Sequence, residues 1–151
     1  MSMIDPSSGR SSRERGIVAT SGPFTALRQE KYLSLVTRRR DGREVATPMW
    51  FVVEGERIYM RTGAQSAKVK RIRNNGRVTL APCTAAGRVT GTAVSAHAVV
   101  ADASLLEPVN RAVKQKYGVM KTLIDLINRL RGLRDMAVIE ISATGEGSPS
   151  P

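Results

Sequence analysis

Apolar and polar residues alternate in short runs through the first two thirds of the chain, a pattern typical of β-strands. Residues 32–40 form one such run, and an Asp41–Gly42 turn leads into a second run over residues 44–53. Both faces of the second run are largely apolar, so we expect both faces to be covered. Further strands are predicted over residues 57–62, 77–83, 88–100 and 134–142.

Helical spacing of apolar residues interrupts this pattern three times. Residues 66–74 predict a short helix with Ser66 as its N-cap. A capping box from Ser104 to Glu107 predicts the start of a second helix, and apolar residues from Met120 to Leu130 mark a third, amphipathic one. Consecutive short strands with the helices inserted late favour a mainly β fold, an antiparallel barrel of six strands with about three helices, over βαβ units.

The length of 151 residues suits one domain. We expect a basic tail over residues 1–22, a folded domain over residues 23–143 and a second tail over residues 144–151. No apolar run approaches the roughly 20 residues of a membrane span, and the N-terminal residues do not resemble a secretory signal. One cysteine, Cys83, fits a reducing compartment. The sequence therefore predicts a cytoplasmic protein with no membrane partner.

The formal net charge of +11 attracts polyanions: nucleic acid, anionic lipid or a multiply charged cofactor. Aromatic residues make up only 4% of the chain, which weakens any function built on base stacking. The sequence thus disfavours nucleic acid as a partner, although a cofactor-free module that binds polyanions remains an alternative.

One stretch, residues 59–77, combines a strand end, a glycine loop and a helix start that carries cations. Free N–H groups and the partial positive charge of a helix N-terminus favour an anion there. A basic surface helix with an ordinary serine cap explains the same spacing equally well. The phosphate-loop pattern of nucleotide-binding proteins is absent. The candidate anion-binding residues are Arg61, Thr62, Gly63, Ser66, Lys68 and Arg71.

No catalytic constellation is present in the sequence. His97 is the only histidine, and its position on a strand predicts a partly buried, structural side chain. One histidine and one cysteine are too few for a zinc site. We therefore predict no metal and no catalytic side chain, and an enzyme of this sequence would need a cofactor to supply the reactive atom.

The strand around Trp50 has two interpretations. Pro48 cannot donate a ladder hydrogen bond, so the strand over Thr47, Pro48, Met49 and Trp50 should be irregular or at an edge. These residues are either ordinary core, or their free backbone groups bind a planar ring.

Together, these motifs resemble the split β-barrel flavoprotein superfamily that includes pyridoxamine 5′-phosphate oxidase. The resemblance is greater to its coenzyme F420-dependent branch, which is common in actinobacteria. It covers about residues 26–141 and depends on the order and spacing of five motifs: TPMWF, YMRTG, SAKVKRIRNNGRVTLAPC, GRVTGTAV and the C-terminal series VNRAVKQKYG, LINRLRG and VIEI.

The resemblance implies a homodimer with cofactor sites at the subunit interface. It places the cofactor ring along residues 47–50 and the phosphate at Arg61, Thr62, Ser66 and Lys68, with Pro82 and Cys83 also near the cofactor. The C-terminal sequence VIEISATGEGSPSP lacks the basic segment with which pyridoxamine phosphate oxidases hold their substrate. Ala67 stands where flavin-binding oxidases of the superfamily commonly carry arginine, which favours F420 over FMN.

The function implied is an F420-dependent oxidoreductase that transfers a hydride between the deazaflavin and a conjugated small-molecule acceptor. An FMN-dependent oxidase or reductase of the same fold is the alternative.

Overall fold

The computed structural model describes residues 22–130 and 135–144, which form a mainly β fold with three α-helices. The strands are β1 (Leu33–Arg38), β2 (Glu44–Met49), β3 (Val52–Glu54), β4 (Arg57–Gly63), β5 (Arg77–Pro82), β6 (Val94–Val100) and β7 (Met136–Ala143). The helices are α1 (Ala67–Asn74), α2 (Leu106–Tyr117) and α3 (Val119–Leu130), and short 3-10 turns cover Thr25–Leu27 and Ala103–Leu105. Apart from Gly22 and Thr144, the two predicted tails lie outside the described residues.

All seven strands join one antiparallel sheet in the order β2-β1-β5-β6-β7-β4-β3. Its two edge strands, β2 and β3, are consecutive in the chain, and only Trp50 and Phe51 separate them. Three residue steps span at most about 11 Å, so the two edges must lie side by side. The sheet is therefore curled into a barrel that is split where Trp50 and Phe51 join its edges, which we call the seam. The predicted fold class is confirmed.

Two predicted strands differ from the structure. The run over residues 44–53 is broken at the seam into β2 and β3, which raises the strand count from six to seven. The strand predicted over residues 88–100 begins only at Val94, because a turn with Gly87 at φ +96° and a single bridge from Cys83 to Val89 precede it. The other elements start and end within two residues of their predicted bounds.

The predicted capping box at Ser104 is wrong. Asp102 is the capping residue, and its Oδ1 accepts a hydrogen bond of 2.8 Å from the backbone N–H of Ser104. Ser104 itself lies in the 3-10 turn, and α2 begins at Leu106. The short aspartate therefore satisfies the free N–H at this end before the regular helix starts.

Buried apolar side chains form two layers. One fills the barrel interior and includes Leu33, Leu35, Phe51, Ile58, Met60, Leu80, Ile139 and Ile141. The other packs α2 against the outer surface of the sheet through Val52, Val109, Val113 and Val138. Each such side chain contributes about 1.5–3 kcal/mol through burial. Along β4, Met60 and Thr62 therefore face the interior, whereas Tyr59 and Arg61 face the helices.

None of the helices in the described ranges is both long enough and apolar enough to cross a membrane.

Candidate functional site

A groove of about 520 Å³ lies beside the seam, where β2, β4, α1 and α3 converge. Its lining includes eight of the twelve site residues predicted from the sequence: Thr47, Pro48, Met49, Trp50, Arg61, Thr62, Gly63 and Lys68. The groove thus joins the predicted ring-binding strand to the predicted anion-binding residues. It also contains six residues that sequence reasoning missed: Tyr32, Ala85, Val113, Met120, Ile124 and Met136.

Three polar side chains meet at the start of α1. The ammonium of Lys68 donates to Thr62 Oγ1 at 3.3 Å, and Thr62 Oγ1 lies 3.5 Å from Ser66 Oγ. Ser66 is the N-cap residue of α1, as predicted, but its hydroxyl makes no capping hydrogen bond to that helix. Because the Ser66 hydroxyl does not cap the helix, it is available beside Thr62 and Lys68 for another hydrogen-bonding partner.

Lys68 is a half-buried cation. Burial lowers the pKa of its ammonium below the ordinary lysine value, and the positive charge of Arg71 lowers it further. Among residues 22–130 and 135–144, no ion pair involves Lys68. A bound anion would restore the solvation that burial removes, so this end of the groove favours a negatively charged ligand.

Arg61 is held differently from Lys68. It projects from the opposite face of β4 to Thr62, and its Nη1 donates to Asn110 Oδ1 of α2 at 2.8 Å. Its Nη2 also forms an ion pair with Asp125 Oδ1 of α3 at 3.4 Å. The guanidinium therefore links the groove to both helices, whereas the sequence predicted only a role beside Thr62.

The end of α2 satisfies the backbone at the seam. The Tyr117 hydroxyl accepts a hydrogen bond of 3.1 Å from the Phe51 N–H and donates to Lys31 O at 2.8 Å. Burial raises the pKa of Tyr117 to about 12, so this hydroxyl stays protonated. The Tyr117 hydroxyl thus occupies the Phe51 N–H, and binding of a planar ring by the backbone of residues 47–50 stays a prediction.

Lys116 completes the attachment of α2 to the seam. Its Nζ donates to Phe51 O at 3.1 Å and lies 3.5 Å from the centroid of the Phe51 ring. Burial, followed by the charge of Arg28, lowers the pKa of Lys116 to about 8, while Glu30 opposes that shift. The sequence places Lys116 and Tyr117 at the end of an amphipathic helix. No local pattern indicates that they contact Phe51, which lies 65 and 66 residues earlier in the chain.

Four of the twelve predicted site residues do not line the groove: Ser66, Arg71, Pro82 and Cys83. Ser66 does not line the groove, but its hydroxyl lies 3.5 Å from Thr62 Oγ1, which does. Arg71 donates from Nε to Thr37 Oγ1 at 2.7 Å. Pro82 ends β5, next to the buried thiol of Cys83, whose pKa is raised by burial. The structure thus separates Pro82 and Cys83 from the groove lining and leaves Arg71 behind Lys68.

His97 is exposed on β6, which corrects the expectation of a partly buried side chain. Its neighbours Ala96 and Ala98 are the buried residues of that strand, as the alternation of β-structure requires. No cluster of three potential metal-ligating side chains occurs in the part of the chain that the structure describes.

The two ends of the groove suit different chemistry. The end at Lys68 can hold an anion, and much of the remaining wall is formed by apolar side chains and by the Trp50 ring, which suit a planar apolar group, although Arg61 and Thr47 also line it. Such a site can bind and orient a ligand and keep water away from it.

Comparison with known proteins gives the same picture of the fold. The sequence profile described as pyridoxamine 5′-phosphate oxidase matches residues 24–146. No curated protein matches the chain.

Several solved structures share the fold at low sequence identity. A conserved hypothetical protein of Mycobacterium tuberculosis is 20% identical with a TM-score of 0.57, covering 78% of this chain and 76% of that chain. A heme storage protein of Vibrio cholerae is 17% identical with a TM-score of 0.57, covering 76% and 82%. An F420 reductase is 18% identical with a TM-score of 0.51, covering 81% and 93%.

The profile match extends from the first 3-10 turn through β7 and so includes every residue around the groove. The curled antiparallel sheet, its seam and the groove beside it are thus features of a chain that belongs to the pyridoxamine 5′-phosphate oxidase family.

Proposed function

We propose that the protein is an oxidoreductase that binds a flavin-type cofactor in the groove, and that this cofactor is the deazaflavin coenzyme F420. The observation that carries the proposal is Lys68, a half-buried cation with two hydroxyls nearby at one end of a groove whose wall is mostly apolar. The family is named for an oxidase, and one protein of similar fold is an F420 reductase.

The residues present fit such a cofactor. Lys68 and Thr62, which line the groove, would hold its phosphate, together with the Ser66 hydroxyl 3.5 Å from Thr62 Oγ1. Residues 47–50 with the Trp50 ring would lie along the ring system. A charged hydrogen bond of this kind contributes about 1.5–3 kcal/mol. When bound, the deazaflavin supplies the hydride for an unsaturated small-molecule acceptor, while the chain positions both molecules and excludes water.

Charge and one sequence position support F420 over FMN. Coenzyme F420 carries a phosphate and an oligoglutamate tail, and a chain of net charge +11 attracts such a polyanion. Ala67 leaves the start of α1 without the arginine that the resemblance associates with FMN. FMN remains the second candidate because it offers the same groove a phosphate for Lys68 and a planar ring system for the Trp50 wall.

We further propose that two copies form a homodimer that completes the groove. Helix α3 exposes a series of large apolar side chains: Met120, Leu123, Ile124, Leu126 and Ile127. Asp125, on the opposite side of this helix, contacts the body of the protein through Arg61. Since Met120 and Ile124 also line the groove, a second copy seated on α3 would lie next to the bound cofactor.

The test is a parallel titration of the purified apo-protein with F420 and with FMN, followed by ligand fluorescence. We expect saturable binding of F420 that is tighter than that of FMN. Tighter binding of FMN would favour the second candidate. Binding of neither, together with retention on DNA that moderate salt abolishes, would replace the proposal by a cofactor-free polyanion-binding function.

A further inference from the structure

The two cations that line the groove differ in how far their charge is already balanced. Arg61 forms an ion pair with Asp125 at 3.4 Å and donates to Asn110 at 2.8 Å. Lys68 contacts the Thr62 hydroxyl, and no carboxylate in the described chain forms an ion pair with it. Only one of the two cations is thus left to balance the charge of a ligand.

The burial of the Arg61–Asp125 pair keeps it in place. The Arg61 side chain is 10% exposed and that of Asp125 is 30% exposed, so water screens the pair only weakly. Asp125 belongs to α3, which also places Met120 and Ile124 in the groove wall. A ligand that drew Arg61 away would have to replace both its contact with Asp125 and its hydrogen bond to Asn110.

We infer that Asp125 is a specificity-determining residue: by neutralising Arg61 it limits the groove to one ligand charge, so that a phosphodiester binds in preference to a phosphomonoester. A monoester carries a charge of about −1.5 to −2 at pH 7, whereas a diester carries one. The extra charge of a monoester would have no uncompensated cation in the groove lining. Arg71 lies behind Lys68 on Thr37 and does not line the groove.

This inference rests on the proposed function and deepens it. The phosphate of coenzyme F420 joins the deazaflavin side chain to the acidic tail and is therefore a diester, whereas FMN ends in a monoester. The distinction between the two candidate cofactors thus depends on a carboxylate of α3 that does not line the groove.

The experiment compares two ligands that share one ring system, FMN and its 5′-methyl ester, in which the phosphate is a diester. Fluorescence titration of the full-length protein gives a Kd for each. We expect the diester to bind more tightly, and Asp125→Asn to lower this preference about ten-fold, the effect of one charged hydrogen bond. Asp41→Asn removes the carboxylate of another Asp–Arg pair, at the β1–β2 hairpin, whose two residues do not line the groove, and should leave the preference unchanged.

Asn110→Asp provides a variant of opposite sign, since it adds a carboxylate at the position that accepts from Arg61 at 2.8 Å. It should raise the preference for the diester, and it keeps the test decisive if Asp125→Asn does not fold. Flavin binding without a preference for the diester, or a preference that neither variant alters, overturns the inference and leaves the proposed function standing. Failure of both flavins and of F420 to bind the wild-type protein overturns both.

Discussion

The indole ring of Trp50 and the phenol ring of Tyr117 are stacked, with centroids 4.3 Å apart and planes inclined by 11°. Trp50 lines the groove, and Tyr117 is the last residue of α2. The stack therefore fixes the plane of a groove-lining ring from a helix that is distant in sequence. Since Tyr117 also bonds the Phe51 N–H, one side chain orients the ring and closes the seam.

Tyr117→Phe should destabilise the protein by about 1–3 kcal/mol, because it keeps the ring but leaves the Phe51 N–H without its acceptor. Denaturant unfolding followed by the fluorescence of Trp50, the single tryptophan, measures this loss. Tyr59→Phe is the matched control: it removes a hydroxyl that bonds Glu140, but that carboxylate keeps its ion pair with Arg57 and its contact with water, so the loss should be about 1 kcal/mol or less. Equal losses in the two variants would contradict the role of the Tyr117 hydroxyl.

Lys116 should make stability rise with pH above about 8. Its folded-state pKa of about 8 lies below the ordinary 10.5, so the buried charge costs stability in full below pH 8, where both states are protonated. Between these values the folded protein loses the proton while the unfolded chain keeps it, and stability increases. Lys116→Met should lack this increase when unfolding midpoints at about pH 7 and about pH 9.5 are compared. A wild-type minus variant difference that stays constant over this range would show that Lys116 titrates normally.

Lys68→Ala should weaken binding of F420 about ten-fold or more, in line with the loss of one charged hydrogen bond. Lys70→Ala is the control: Lys70 lies on the same helix and carries the same charge, but it is exposed and does not line the groove. Titration of the fluorescent deazaflavin measures both variants. Comparable weakening in the two would point to a general effect of charge and not to a contact with the phosphate.

Leu123→Glu should convert the proposed dimer into monomers, because it places a charge in the middle of the apolar face of α3. Analytical ultracentrifugation measures the change in mass. Val94→Glu alters a similarly exposed apolar residue on β6 and should leave the mass unchanged if α3 forms the interface. A wild-type protein that sediments as a monomer would rule out this role for α3.

Most of the barrel could be predicted because its signals are local. Alternation along residues 57–62 and helical spacing over residues 66–74 each lie within one element, and both elements form close to the predicted bounds. The edge position of β2 agrees with the prediction made from Pro48, but alternation did not show where the strand would break. The Phe51 N–H at the break bonds Tyr117, 66 residues away, and alternation carries no information on such a contact.

In the candidate site, too, contacts between residues close in sequence could be predicted and contacts between distant residues could not. Thr62, Ser66 and Lys68 follow one another closely in the chain, so their proximity could be inferred from a strand end followed by a helix start. The pairing of Arg61 with Asp125 could not, because it depends on how α3 returns to the sheet. Tyr32 and Met136 were missed for the same reason. Each lies far along the chain from the other lining residues, and only the pairing of the strands in the sheet brings it to the groove.

The seam makes the Phe51 amide proton a local reporter on the docking of α2. That proton is held by a side chain of a helix, whereas the amides of neighbouring strands are held by other strands. If α2 detaches transiently while the sheet stays intact, the Phe51 proton will exchange with solvent before the protons of β1 and β5 do. Hydrogen exchange at this single position would then give the free energy of opening the groove wall without unfolding the barrel.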